Sequence, residues 1–382
     1  MSRHTFPWPN ASLCLLIAIP LFAFLAGLVQ RCLFGTSSLP FWTLFSNWTL
    51  NWLELGLSGI TMGLLVFMLA SGMTLVFGLM GVFNLAHGAF IALGTFIFAH
   101  VVYRLNFFTT VTESRMWSPF PGRVPAFERT VVIAKGWFYD GNPSTTLLLF
   151  IAGLLVAFLI TGVVGYLYER ILIRPCYGEP TRQLLMALGG AIILIELMLL
   201  FYASETPRMA KPEWIAGNLF LFTRWNGGLT LSYARLFAGG IGLGVFFLLH
   251  HILTHTRTGL VIRAGTENRD MTETLGYRTS LLFVGLFIAA NLLASLGGTL
   301  YALNLGSVST EISNDLLLLV IAAIMIGGKG SIRGCLTGSV LVMLSQNYMN
   351  GIYPPLGGEF TAVLLMLGVL LWRPQGLDPW DA

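Results

Sequence analysis

The sequence predicts an all-α polytopic integral membrane protein, a bundle of about 8–10 transmembrane helices with interrupted or re-entrant segments and an internal repeat. Three observations predict it. The chain is 55% hydrophobic with only 10% Asp, Glu, Lys and Arg, where a soluble globular protein carries roughly 25% charged residues. Its mean hydropathy is +0.78. Apolar runs long enough to cross a bilayer recur along all 382 residues, so one bundle accounts for the length better than two or three soluble domains.

The first run, 11–29, follows Arg3 and His4 and resembles a signal peptide in position. Its length and the lack of a small-x-small cleavage site favour a retained helix. Further spans are expected at 54–80, 87–104, 146–168, 183–203, 231–254, 281–304, 315–327, 335–350 and 358–372, with 315–327 short enough to be re-entrant. These give an N-terminal helix and external segment over 1–53, a transmembrane domain over 54–372 and a cytoplasmic tail over 373–382.

Placing the N-terminus inside puts 11 of the 21 Lys and Arg residues on short inner segments. Half of the others fall in one long outer segment, 104–145. Long loops weigh little in the positive-inside rule, so both termini are expected in the cytoplasm. The net charge of +4 is modest and its basic residues lie between spans, which suits lipid headgroups and excludes a nucleic-acid footprint. Cys14, Cys32, Cys176 and Cys335 show neither pairing nor metal-ligand spacing.

Within the spans, small residues recur at helix-packing distance: Gly59 and Gly63, Gly240 and Gly244, Gly334 and Gly338. Such faces let backbones approach in lipid, where no hydrophobic effect drives helices together. A longer echo relates two segments. "GVFNLAHGAFIALG" opens at Gly81 with its next glycine at Gly88, and "GGKGSIRGCLTG" opens at Gly327 with a glycine at the same interval, Gly334. Interrupted helices at corresponding places in two halves point to a transport pathway. Glycine is common enough here for chance to compete.

Two loops stand out. Residues 255–280, "HTRTGLVIRAGTENRDMTETLGYRTS", form the longest inner loop. Thr266 is expected to cap a short helix with Glu267 in its first turn, Met271 and Leu275 to make an apolar pair, and Gly276 to end it. That amphipathic helix rests on the membrane or docks on a partner. In the outer loop 105–145, "RTVVIAKGWFYDG" reads as a hairpin around Lys135-Gly136, serving a lid, a docking surface or nothing in transport.

Catalytic signatures are absent: no HExxH, no GxSxG, no paired-cysteine pattern. His250, His251 and His255 sit at the inner end of a span as interfacial polar residues. "GGKGS" lacks the upstream glycine of a phosphate loop, that place being Ala323, so the chain is expected not to hydrolyse ATP. Glu196, in "AIILIELMLLFY", is the sharpest oddity, an ionisable residue in the middle of an apolar span. It serves as a proton site, cation partner or solute contact, or as a buried structural carboxyl.

Several stretches together resemble the permeases of branched-chain amino acid ABC importers of the LivH type. These are "VFGLMGVFNLAHGAFIALGTF" (76–96), "ENRDMTETLG" (267–276), "FIAANLLASLGGTLYAL" (287–303), "IAAIMIGGKGSIRGCLTG" (321–338) and "WRPQGL" (372–377), in the family's order. The resemblance implies a bacterial inner-membrane permease subunit working with a second permease subunit, two cytoplasmic ABC ATPases and an external solute-binding protein. No cofactor is expected in this chain, ATP being used by the partners. The loop 255–280 becomes the element that couples to an ATPase, through Arg263, Glu267, Asp270, Met271 and Gly276. The family's Glu-Ala-Ala with a glycine six residues after the Glu is replaced here by Asp270-Met271-Thr272 with Gly276. Ala89 also stands where relatives often carry an acid. Permeases for urea and short amides resemble the 76–96 wording as closely.

The expected solute pathway comprises Gly81, Asn84, His87, Gly88, Glu196, Gly327 and Gly334. The glycines allow a broken helix, while Asn84 and His87 either line the passage or pin the break through hydrogen bonds. A self-contained ion-coupled carrier or channel, with Glu196 and His87 as coupling groups, is the competing class.

Overall fold

The computed structural model describes residues 18–20, 41–80, 84–105, 109–113, 131–135, 143–177, 179–202, 209, 211–221, 229–267, 269–328, 330–352 and 357–377. Helices dominate them. They are α1 (Phe41–Met80), α2 (His87–Leu105), α3 (Pro143–Tyr168), α4 (Pro180–Tyr202), α5 (Tyr233–His255), α6 (Arg257–Glu267), α7 (Arg269–Thr274), α8 (Thr279–Leu305), α9 (Glu311–Gly327), α10 (Ile332–Ile352) and α11 (Gly357–Trp372). Two antiparallel ribbons join them: β1 (Thr109–Glu113) with β2 (Val131–Lys135), and β3 (Asn218–Leu221) with β4 (Leu229–Ser232).

Among the described residues, five segments have the length and apolarity to cross a membrane, Thr49–Gly78, Thr146–Cys176, Pro180–Tyr202, Tyr233–His255 and Thr279–Leu305, and three shorter apolar helices accompany them. The chain is a multi-pass membrane protein. Nine of the ten expected spans coincide with a helix. The tenth, 11–29, lies outside the described residues except for the helical turn at 18–20. α1 runs unbroken through residue 54, at 40 residues about 60 Å long.

α1 is the centre of the bundle, packed on α5, α8, α9 and α10. Its glycines explain how. A methyl group at Gly63 would stand 2.7 Å from Val340 Cα, and one at Gly72 would stand 2.6 Å from the Ala290 carbonyl. Close backbone approach of this kind supplies the dispersion contacts that hold helices together in lipid. α2 and α3 pack on the far side of α8, with α4 beside α2. Phe67, Met68, Leu69, Phe90, Phe287 and Ala290 are wholly buried where these helices meet. Each of α3, α4 and α5 also turns an apolar face outward, with Leu148, Leu159, Leu200 and Phe247 exposed on them.

The small-residue pairs divide. Gly59 and Gly63 face α10, and Gly334 and Gly338 face α9. Gly240 and Gly244, expected to pack likewise, have no atom of the described chain within 4 Å of an added methyl. Their neighbours Gly239 and Gly242 take that role, against Thr61 and Leu64 of α1. A helix turns 100° per residue, so a one-residue offset in register moves the motif to the outer face.

Three other expectations change. β2 pairs with Thr109–Glu113 and not across Lys135-Gly136, because its register sets Lys135 opposite Thr109. The β3–β4 ribbon, too short for a periodic signal, precedes α5 and is tied to α1 by the Thr230 hydroxyl, which donates to Glu54 Oε1 at 2.7 Å. The inner loop holds two helices, since Arg257–Glu267 is helical in its own right. Thr256 caps it, its Oγ1 accepting the Gly259 N–H at 3.2 Å. Thr266 therefore lies in the last turn of α6 and does not cap α7.

Candidate functional site

The interruption between α1 and α2 is built from short hydrogen bonds. Asn84 Oδ1 accepts the Ala86 N–H at 3.2 Å, an Asx turn, and the Asn84 carbonyl accepts the His87 N–H at 3.0 Å. His87 then begins α2, wholly buried. Its Nε2 lies 2.9 Å from the Leu69 carbonyl of α1. A carbonyl only accepts, so Nε2 carries the proton and donates. Leu69 stands eleven residues before Met80, so α2 starts beside the last third of α1, about 16 Å back from its end. The short span expected at 315–327 is α9, one unbroken helix of 17 residues.

His87 thus pins the broken segment. Its Nδ1 and the Asn84 Nδ2 have no protein partner among the described residues, which leaves each one polar atom for another ligand. Gly88 sets the distance to α9: a methyl there would meet Leu317 Cδ2 and the Ser313 carbonyl at 3.3 Å. Gly81 lies outside the described residues.

The second glycine segment is a different object. Gly327 and Gly334 face each other where α9 turns into α10, and a methyl at Gly327 would run into the Gly334 carbonyl. Gly328 and Gly330 take positive φ, 107° and 77°. Ser331 starts α10, its Oγ accepting the Gly334 N–H at 3.0 Å. The C-terminal turn closes on this hairpin: the Leu377 N–H donates to the Ile326 carbonyl at 2.8 Å. Gly376, at φ 89°, leaves room for Gly328. Gly78 of α1 reaches the same junction, where a methyl would stand 3.3 Å from Gly330 Cα.

The structure therefore does not gather the expected pathway residues at one place. Asn84, His87 and Gly88 lie at the start of α2, where His87 bonds to Leu69 in the last third of α1. Gly327 and Gly334 lie at its end, about 14 Å away along the nine residues from Leu69 to Gly78. Glu196 departs further. It is exposed on the outer face of α4 beside Ile192, Ile193 and Leu200, and is not the buried group the sequence suggests. Its carboxyl faces away from His87 because the opposite side of α4, with Ala187, Ala191 and Met198, packs inward.

At the end of the bundle with the Gly327–Gly334 hairpin, α6 and α7 follow α5, and α6 packs back on α5 and α1. Arg333 lies 3.4 Å from His250 Nε2 across α10 and α5. Met271 and Leu275 stand one turn apart, the Leu275 N–H donating to the Met271 carbonyl at 3.2 Å. Both are well over half exposed, with Tyr277 beside them. Gly276 ends the helix at φ 88°. Thr279 donates to Glu273 and anchors the element to α8. Arg263 and Glu267 lie on α6 and Asp270 on α7, so the residues expected to couple are shared between two helices. Sequence reasoning missed Gly376 and Ser331; a Pro-Gln-Gly turn and a Ser before a glycine-spaced helix were the available signals.

Residues 56–371 match the family described as branched-chain amino acid transport system / permease component. The chain is similar to the high-affinity branched-chain amino acid transport system permease protein BraD of Pseudomonas aeruginosa, 24% identical over 328 residues, covering 86% of this chain and 95% of that protein. It is similar at 24% to LivH of Escherichia coli K12, over 86% of this chain and 96% of LivH. LivM of Salmonella typhimurium is 25% identical, over 84% and 69% respectively. No solved structure matches.

Proposed function

We propose, for a chain that belongs to the family of branched-chain amino acid transport system permease components, that it carries branched-chain amino acids through the membrane as one subunit of an ATP-driven importer. The chain is a transport permease subunit and not itself an enzyme. The observation that carries the solute class is the match from residue 56 to residue 371, which runs from within α1 to the last turn of α11. Relatives along that whole length bear branched-chain amino acid names. The urea and amide branch draws no support from them.

In this reading, the partners are two ABC ATPases, a second permease subunit and an external binding protein. LivH and LivM of one organism are both permease proteins of a system of that name, which supports a permease pair. Exposed Met271, Leu275 and Tyr277 on an element anchored to α8 suit docking of an ATPase. Docking would then bias α8, and with it the packing of the bundle, between inward- and outward-facing states. In this reading the bacterial inner membrane is the one implied by the importer family, and the density of Lys and Arg on the shorter loops supports cytoplasmic termini. Arg263, Glu267, Asp270, Met271 and Gly276 serve the coupling, and Asn84, His87 and Gly88 shape the broken helix.

Uptake of labelled leucine and labelled urea into vesicles holding this chain, its ATPases, its permease partner and binding protein, with and without ATP, tests the reading. ATP-dependent leucine uptake supports it. Uptake of urea alone, or uptake that follows a proton gradient without ATP, overturns it. The ion-coupled alternative needs Glu196 and His87 to communicate, and the outward position of Glu196 argues against that.

A further inference from the structure

Buried hydroxyls in this bundle normally bond back to their own helix. Ser71 donates to the Met68 carbonyl at 2.8 Å, Thr95 to Ile91 at 2.7 Å, and Ser345 to Val342 at 2.8 Å. One line of polar side chains does not. On α3 and the π-helical turn that continues it, Thr161, Gly165 and Glu169 follow at four-residue spacing; on α8, Asn291 and Ser295 do the same. The two helices run antiparallel, as Gly165 lies against Asn291 and Tyr168 stacks on Phe287. Thr161 therefore comes level with Ser295, and Glu169 extends the line past Asn291. α2 closes the third side: Gly94 lies against Ser295, and Phe90 packs edge-on to both Tyr168 and Phe287.

All four polar side chains are no more than 1% exposed. Among the described residues, Thr161 Oγ1, Ser295 Oγ, both side-chain polar atoms of Asn291 and Glu169 Oε2 have no hydrogen-bond partner. Glu169 Oε1 accepts from the Tyr177 hydroxyl at 2.6 Å. Native proteins leave few buried polar atoms unpaired, and each calls for a cause. Inside a membrane, polar side chains are costly and mark the routes of solutes and ions. Chance scatter does not explain five such atoms on one seam, about 12 Å long from Thr161 to Glu169.

We propose that Asn291, with Ser295 and Thr161 on one side and Glu169 on the other, binds the polar groups of the transported solute when α3 parts from α2 and α8. The inference rests on the permease reading above. The chemistry fits a small zwitterion such as an α-amino acid. Asn291 Nδ2 and the two hydroxyls donate to a carboxylate, while Glu169 Oε2 and Asn291 Oδ1 accept from an ammonium. In the packed state described here the seam is shut, with Gly165 directly against Asn291 Nδ2, where a methyl would stand at 3.2 Å. Gly94 and Gly165 allow both closure and separation without side chains to withdraw.

Replacing an orphaned polar group by an apolar one of similar shape is neutral or stabilising for the fold, so Asn291→Leu separates packing from transport. In the assembled importer, Asn291→Leu is expected to keep its thermal midpoint or raise it while ATP-driven leucine uptake falls by at least about tenfold, and Ser295→Ala and Thr161→Val to raise the KM. Ser295→Cys is expected to react with a water-soluble thiosulfonate only during ATP turnover and to be protected by leucine. Unchanged uptake in Asn291→Leu, with Ser295→Cys unlabelled in turnover, overturns the proposal. If Asn291→Leu fails to accumulate, the cysteine labelling decides alone. Wild-type complex without ATP-driven leucine uptake overturns the importer reading instead.

Discussion

Gly63→Ala and Gly240→Ala are expected to shift stability in opposite directions, although the sequence gives both glycines the same small-xxx-small spacing. At Gly63 the new methyl would stand 2.7 Å from Val340 Cα, 3.1 Å from Val340 Cγ2 and 3.3 Å from the Ser339 carbonyl. Carbon atoms prefer about 3.5–4.0 Å, so α1 and α10 must separate by roughly 0.8 Å. The closest atom is backbone and cannot rotate away. Overpacking of this kind costs about 1–3 kcal/mol, offset by about 0.5–1 kcal/mol from removing a helical glycine. The net expectation is a destabilisation of up to about 2.5 kcal/mol, centred on about 1 kcal/mol. At Gly240 nothing lies within 4 Å, so only the helical gain of about 0.5–1 kcal/mol remains. Unfolding of the purified subunit in detergent, followed by circular dichroism against denaturant, reads both. Shifts of equal sign and size would refute the assignment of one glycine face to the core and the other to the outside.

His87→Ala removes the 2.9 Å bond to Leu69 and is expected to cost about 1 kcal/mol or more by the same measurement, with greater hydrogen exchange at the start of α2. Gly376→Ala meets two obstacles, φ 89° and Gly328 N at 2.6 Å, and is expected to expose the segment from Arg373 to Leu377 to proteolysis. The double change Met271→Asp, Leu275→Asp falls on exposed positions, so the subunit should melt within about 0.5 kcal/mol of wild type. Its stimulation of ATPase activity by solute-loaded binding protein should be lost; retained stimulation would remove this element from the coupling.

The spans were legible because apolar length is a local property: a run such as 146–168 must be helical in lipid whatever its neighbours are. The stop at Gly276 was legible for a similar reason, since a left-handed residue closing a helix is a demand of a few adjacent atoms. The polar residues were not readable in this way. Glu196 and Asn291 each interrupt an apolar helix, and the sequence singled out the first alone. Only the packing of α4 against α2, and of α8 against α2 and α3, turns Glu196 outward and seals Asn291 inside.

By itself, the sequence determined the membrane, the order of the helices and the family, through composition and motifs that survive any rearrangement of contacts. Tertiary structure decided which glycine faces meet, that His87 is bonded to Leu69 eighteen residues before it, and that the two glycine-spaced segments stand at different depths. The physical reason is that lipid offers little preference among apolar helix faces. Rotation and depth are then set by close backbone approach and by a few hydrogen bonds, neither of which has a periodic signature in one chain.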